Sequence, residues 1–128
     1  MKAQTTHDIR ISVSYQYQSR FSDDEKRDYV FFYKILIENC GLQKVKILSQ
    51  YRELIDSARN KINKKREDTN WNQPDILPGQ TQTYDCACSL ESPIGKLKGH
   101  LEIAFLGPGE IISAKLPETE LYATSILN

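Results

Sequence analysis

The chain has 128 residues, enough for one domain, spanning 1–128, that buries a core without disulfides or metal. Seventeen basic and seventeen acidic residues cancel, which excludes a global field steering it to nucleic acid or an anionic membrane. No apolar run reaches the ~20 residues of a membrane-spanning helix. The start, Met1-Lys-Ala-Gln-Thr-Thr-His-Asp8, lacks a signal peptide's apolar segment, and three cysteines are an odd number, so the expectation is a cytoplasmic protein with reduced thiols.

Residues 8–18 alternate: Ile9, Ile11, Val13, Tyr15 and Tyr17 share one face, and Arg10, Ser12, Ser14, Gln16 and Gln18 the other. That period of two predicts a strand with one buried side. Residues 20–28 read as a charged loop. Residues 29–38 are apolar on both faces at first, which predicts a central strand covered on both sides over part of its length. Asn39-Cys40-Gly41 supplies a turn, because Asn and Gly tolerate positive φ, and residues 45–50 restart a strand. Within residues 50–65, Tyr51, Leu54, Ile55, Ala58 and Ile62 follow helical spacing. Residues 81–90 alternate again, with Tyr84, Cys86, Cys88 and Leu90 together. Ser92-Pro-Ile-Gly95 predicts a hairpin turn. The returning strand places Leu97, Gly99, Leu101, Ile103 and Phe105 inward. Gly107-Pro108-Gly109 makes the next turn, and Ile112, Ala114 and Leu116 face the core from the last long strand. Short strands punctuated by turns predict an all-β sandwich of antiparallel strands.

Three signatures carry a family resemblance: Ile37-Glu-Asn-Cys-Gly41, Ile76-Leu-Pro-Gly-Gln-Thr-Gln-Thr-Tyr84 and Ser92-Pro-Ile-Gly-Lys-Leu-Lys-Gly99. With Phe32-Tyr33 and the Gln73-Pro74 step, in this order and spacing, the chain resembles the ApaG family of small bacterial proteins from Ile9 to Leu121. The resemblance implies an immunoglobulin-like or fibronectin-III-like β-sandwich, of about seven or eight strands, and no agreed catalytic activity. Two motifs depart. Ungapped spacing puts Arg66, Asp68 and Trp71 where the family carries a Gly-x-Gly-x-x-Gly loop, and Gln50-Tyr51-Arg52 where it carries Arg-His-Trp. The same spacing bears on the helical pattern: a helix rises about 1.5 Å per residue against about 3.3 Å for a strand. Without an insertion to compensate, two strands meeting near Asp56-Ser57-Ala58 are favoured over a helix.

Candidate chemistry is sparse. Cys86-Ala-Cys88 pairs two thiols at a spacing that interests zinc, but a structural site needs four ligands. His7, Cys40 and His100 lie in unrelated segments or on the other face, so core packing is the expectation and no metal or cofactor is assigned. Two histidines leave little for a Cys–His nucleophile, and no catalytic residue is assigned. Arg59-Asn-Lys-Ile-Asn-Lys-Lys-Arg66 holds five cations in eight residues. It reads as a solvated arm, offset by Glu67-Asp68 and lacking the interleaved aromatics of single-strand binders, so nucleic acid is not the expected partner.

The expected function, from the resemblance, is a non-enzymatic protein-interaction module. The alternative is binding or hydrolysis of a phosphorylated small molecule, a nucleotide or dinucleoside polyphosphate, linked to divalent-cation homeostasis. The expected contact face is the loop carrying Arg66, Asp68, Trp71 and Gln73, with Trp71 as anchor and Lys64 and Lys65 of the basic arm as its rim. A second candidate face is a sandwich edge, where an unpaired strand accepts another chain or a second copy in a homodimer.

Overall fold

The computed structural model describes residues 1–57, 61–68 and 74–124. Nine strands run through them: β1 (Lys2–Thr6), β2 (Ile9–Tyr17), β3 (Tyr29–Asn39), β4 (Val45–Asp56), β5 (Lys61–Asp68), β6 (Thr81–Leu90), β7 (Ile94–Phe105), β8 (Ile111–Lys115) and β9 (Thr119–Tyr122). One sheet has the order β1-β2-β3-β6. The other has the order β5-β4-β7-β8, with β9 also paired to β7. All pairings are antiparallel. The inner faces meet over Ile9, Ile11, Val13, Phe31, Ile35 and Ile37 from the first sheet and Val45, Ile47, Leu97, Leu101 and Ile103 from the second. Burying each such side chain contributes about 1.5–3 kcal/mol, which is what closes the sandwich.

The alternating runs fold as strands, and the ambiguous segment resolves into the two strands that spacing favoured. Residues 51–56 complete β4, sandwiched between β5 and β7. A bulge ahead of the segment also shifts the phase of β4. Pairing of β4 with β7 runs Ile47↔Ile103 and then Ser49↔Glu102, so Leu48 is an extra residue. Val45 and Ile47 point inward before it, and Gln50, Arg52 and Asp56 are buried after it. One inserted residue moves the inward set from odd to even positions.

Four sequence expectations change. The strands number nine, because β1 and β9 were not anticipated. β1 is almost entirely exposed and polar and so has no apolar alternation to read, and it joins β2 through a two-residue turn with His7 at φ 47° and Asp8 at φ 65°. Ser92–Gly95 is not a hairpin: β6 pairs with β3 and β7 with β4, so this segment crosses from one sheet to the other. A Cβ on Gly95 would lie 2.5 Å from Leu90 Cδ1 and 2.7 Å from Ile55 O, so the glycine is there for close approach. Next, β3 is covered fully on one face only. Phe32 on the outer face is 44% exposed, its ring 5.9 Å from that of Phe21. Finally, Asn39 works as a hydrogen-bond hub rather than through positive φ. Its Nδ2 donates to Gln43 O and Ile76 O, and its Oδ1 accepts from Gly41 N. The Gly107–Gly109 turn is a true hairpin, with Gly109 N donating to Phe105 O across it.

Candidate functional site

The flank where β6 edges one sheet and β5 edges the other holds the protein's unusual chemistry. The bulge at Leu48 sends Arg52 into it. Arg52 is 7% exposed, and its guanidinium lies between the sheets. Nη1 donates to Tyr33 Oη and to Cys86 Sγ, both at 3.0 Å, and Nη2 pairs with Glu67 Oε1 at 2.9 Å. Among the described residues Nε has no acceptor and the buried Gln50 Oε1 has no donor. Burial works against the charge on Arg52, but Tyr33, Cys86 and Glu67 outweigh it, so it stays a cation. Burial also pushes the Tyr33 phenol up, with the Cys86 thiol adding to the effect and Arg52 opposing it. Tyr33 therefore serves as a neutral acceptor.

Cys86 and Cys88 turn inward from β6 and pack against the core, as their alternation predicts. Their surroundings differ. Burial pushes the Cys88 thiol up to about 12, whereas Cys86 faces a cleft of about 290 Å³ lined by Gln50, Arg52, Lys65, Glu67, Tyr84 and Asp85. Among the described residues no group of three or more His, Cys, Asp or Glu is placed to hold a metal ion.

The residues singled out in the sequence are distributed over two faces of β5. Lys64 and Lys65 border this flank, with Lys65 Nζ 2.8 Å from Glu67 Oε1 and Lys64 Nζ 3.7 Å from Glu53 Oε1. Arg66 sits 3.5 Å from Asp68 Oδ1 and reaches Glu102 at 3.6 Å, beside the Tyr51 and His100 rings, which are tilted 31° with centroids 5.1 Å apart. Each of these three cations thus has a carboxylate partner. Trp71 and Gln73 lie outside the described residues. Arg52 and Tyr33 were noted only within two family motifs and given no site role, because the bulge that buries Arg52 leaves no mark in the alternation.

The β6 edge is the second feature. Among the described residues no strand pairs with its outer side. Its ten residues carry a single charge, Asp85, and no Lys, Pro or Gly, the devices that ordinarily protect an edge. On its exposed face Asp85 and Ala87 border a groove of about 800 Å³ that also touches Ser14, Gln16, Phe32 and Lys34. Phe32 and Ala87 are register partners, and the small side chain leaves the ring open on that side.

A family model described as the ApaG domain matches residues 18–104. The chain is 28% identical over 128 residues to Protein ApaG of Photobacterium profundum, covering all of both chains. It is 27% identical over 122 residues to Protein ApaG of Agrobacterium fabrum, covering 95% of this chain and 93% of that one. Among solved structures it superposes on the putative ApaA protein of Bordetella pertussis with a TM-score of 0.85 at 26% identity, over 92% of this chain and 95% of that one.

Proposed function

The chain belongs to the ApaG domain family, and on that premise we propose that it is a non-enzymatic protein-interaction module of the bacterial cytoplasm that receives an extended segment of a partner protein along β6. The observation that supports this is the outer edge of residues 85–89. Backbone N–H and C=O groups there face outward with no neighbouring strand among the described residues. An added strand satisfies them, and alternate side chains then give specificity. The position opposite Ala87 would place a partner's side chain against the Phe32 ring, and the position opposite Asp85 favours a cation. The competing reading, a phosphorylated small molecule, has less support: Lys64, Lys65 and Arg66 each already face a carboxylate within 4 Å.

Affinity purification from the native cell, with cross-linking mass spectrometry, tests the edge. Ala87→Lys sets a charge against Phe32 and is expected to abolish recovery of the partner, while Trp71→Ala retains it. Equal recovery from wild type and Ala87→Lys defeats the edge. Loss with Trp71→Ala alone moves the contact to the loop expected from the sequence. Turnover of a phosphorylated metabolite by pure protein defeats the module reading altogether.

A further inference from the structure

The cleft between β5 and β6 carries a second inference, independent of strand addition. Gln50 and Arg52 of β4 stand in register with Glu67 and Lys65 of β5, so the four side chains share one face of the second sheet, the face that turns inward. Gln50 is 4% exposed and Arg52 is 7% exposed. Each keeps one polar atom without a partner among the described residues, an acceptor at Gln50 Oε1 and a donor at Arg52 Nε. Both residues line the same cleft of about 290 Å³.

The shape of the guanidinium fixes where that donor points. The group is planar, and Nε–H lies on the same edge as one N–H of Nη2, the two bonds running parallel as a fork for a carboxylate. Glu67 fills half of this fork. Its Oε1 sits 2.9 Å from Nη2 and 2.8 Å from Lys65 Nζ, whereas nothing accepts from Nε. Glu67 itself lines the cleft, so the unfilled half of the fork faces the same side. We propose that this cleft binds a small organic acid, which seats both carboxylate oxygens on the Nε–Nη2 edge of Arg52 in place of Glu67. An N–H donor next to the carboxylate would meet Gln50 Oε1. That is the chemistry of an N-acyl amino acid or of the last residue of a peptide.

The exchange is favoured on three counts. The Glu67 side chain is 46% exposed, so it rehydrates when it leaves, and Lys65 at 67% exposure stays at the mouth as a second cation. Two parallel charge-assisted bonds replace one. A buried donor and a buried acceptor that the empty protein leaves unmade are both satisfied, and an unmade buried hydrogen bond is costly. One carboxylate takes the place of another, so a single negative charge suits the cleft. Its volume lies at the small end of ligand sites, which begin at about 300 Å³, and limits the bound part to roughly one residue.

The test titrates the full isotope-labelled chain and follows the Arg52 Nε–H resonance, with the backbone amides of Gln50 and Glu67, by NMR. N-acetylglycine is expected to shift these resonances saturably. Acetate, which lacks the N–H, should bind about tenfold more weakly, and N-acetylglycinamide, which lacks the carboxylate, should not bind. Glu67→Gln removes the competing charge and should tighten N-acetylglycine about fivefold. Arg52→Lys keeps the charge and loses the fork, and should weaken it at least about tenfold. Acetylated tetraglycine with a free C-terminus separates the two sources: tighter binding than N-acetylglycine assigns the site to chain ends, and weaker binding assigns it to free acids. An Arg52 Nε–H resonance that N-acetylglycine leaves in place overturns the proposal. So does undiminished binding by Arg52→Lys, unchanged affinity in Glu67→Gln, or an equal response to inorganic phosphate.

Discussion

The buried carboxylate of Asp56 at the end of β4 accepts a hydrogen bond from the backbone N–H of Glu91 at 2.8 Å. Its other oxygen accepts the Ser92 hydroxyl. Two residues that begin the crossing between sheets are thus tied to the end of a strand in the second sheet. Asp56 is 2% exposed, so its partners cannot fall back on water. Asp56→Ala is expected to cost about 2–4 kcal/mol, since it removes the charge-assisted bonds to Glu91 and Ser92, read as a fall in the urea midpoint. Ser92→Ala, which removes one donor and leaves the carboxylate its backbone partner, should cost about 1–2 kcal/mol.

Gly99 tests close approach. A Cβ there would lie 2.0 Å from Tyr51 O and 3.0 Å from Arg52 Cα. Gly99→Ala has to push β4 and β7 apart at the residue that carries Arg52, and is expected to cost about 3 kcal/mol or more. Gly107→Ala, with nothing within 4 Å, stays within about 0.5 kcal/mol of wild type. Thermal melts of the pair check this, and similar melts for both would remove the steric argument.

Arg52 separates packing from pairing. Arg52→Ala leaves a void between the sheets and should cost about 2–4 kcal/mol. Arg52→Met fills most of that space without a buried ion and is expected within about 1 kcal/mol of wild type, because its partner Glu67 remains 46% exposed and rehydrates. Chemical denaturation of both variants decides, and equal losses would mean that the ion itself holds the flank together.

Acid and alkaline limits have separate origins. Hydrogen bonding from Tyr51, with Lys98 and Lys64 nearby, holds the Glu53 carboxyl below its usual 4.5, and Lys65 with Arg52 does the same for Glu67. Lowered folded values mean that this stabilisation is present above pH 4.5 and is lost as pH falls through the folded values. Tyr51→Phe should flatten that acid decline. The Cys88 thiol behaves oppositely. Its folded value near 12 exceeds the usual 9.0, so its contribution is complete below pH 9 and drains away as pH rises toward 12. The stability of wild type relative to Cys88→Ala, measured by urea titration across that range, is expected to fall with rising pH.

The sequence displayed the sandwich because one inward-facing row per strand is written directly as alternating apolar residues, from Ile9 to Val13 and from Leu97 to Ile103. The two inward thiols were legible in the same way. What stayed hidden breaks the period or needs a partner to be seen. The Leu48 bulge shifts the phase of β4, so nothing in the alternation marked Arg52 as buried. Ser92-Pro-Ile-Gly95 has the composition of a hairpin turn, yet its geometry is decided by Asp56, thirty-six residues earlier in the chain. The outer side of β6 over residues 85–89, where no strand pairs among the described residues, is a property of strand order, which alternation within a strand does not encode.

The pairing along β7 sets how far this protein can associate with itself. β8 and β9 divide the outer side of β7 between them, at His100–Ala104 and Ile94–Leu97, so that side is closed. Of the remaining margins among the described residues, β5 is crowded with charge, and β1, β8 and β9 are only five, five and four residues long. The ten-residue β6 is the longest of these margins. Two copies joined through β6 would each spend that margin on the other, and a fibre would have to grow through the short or charged ones that remain.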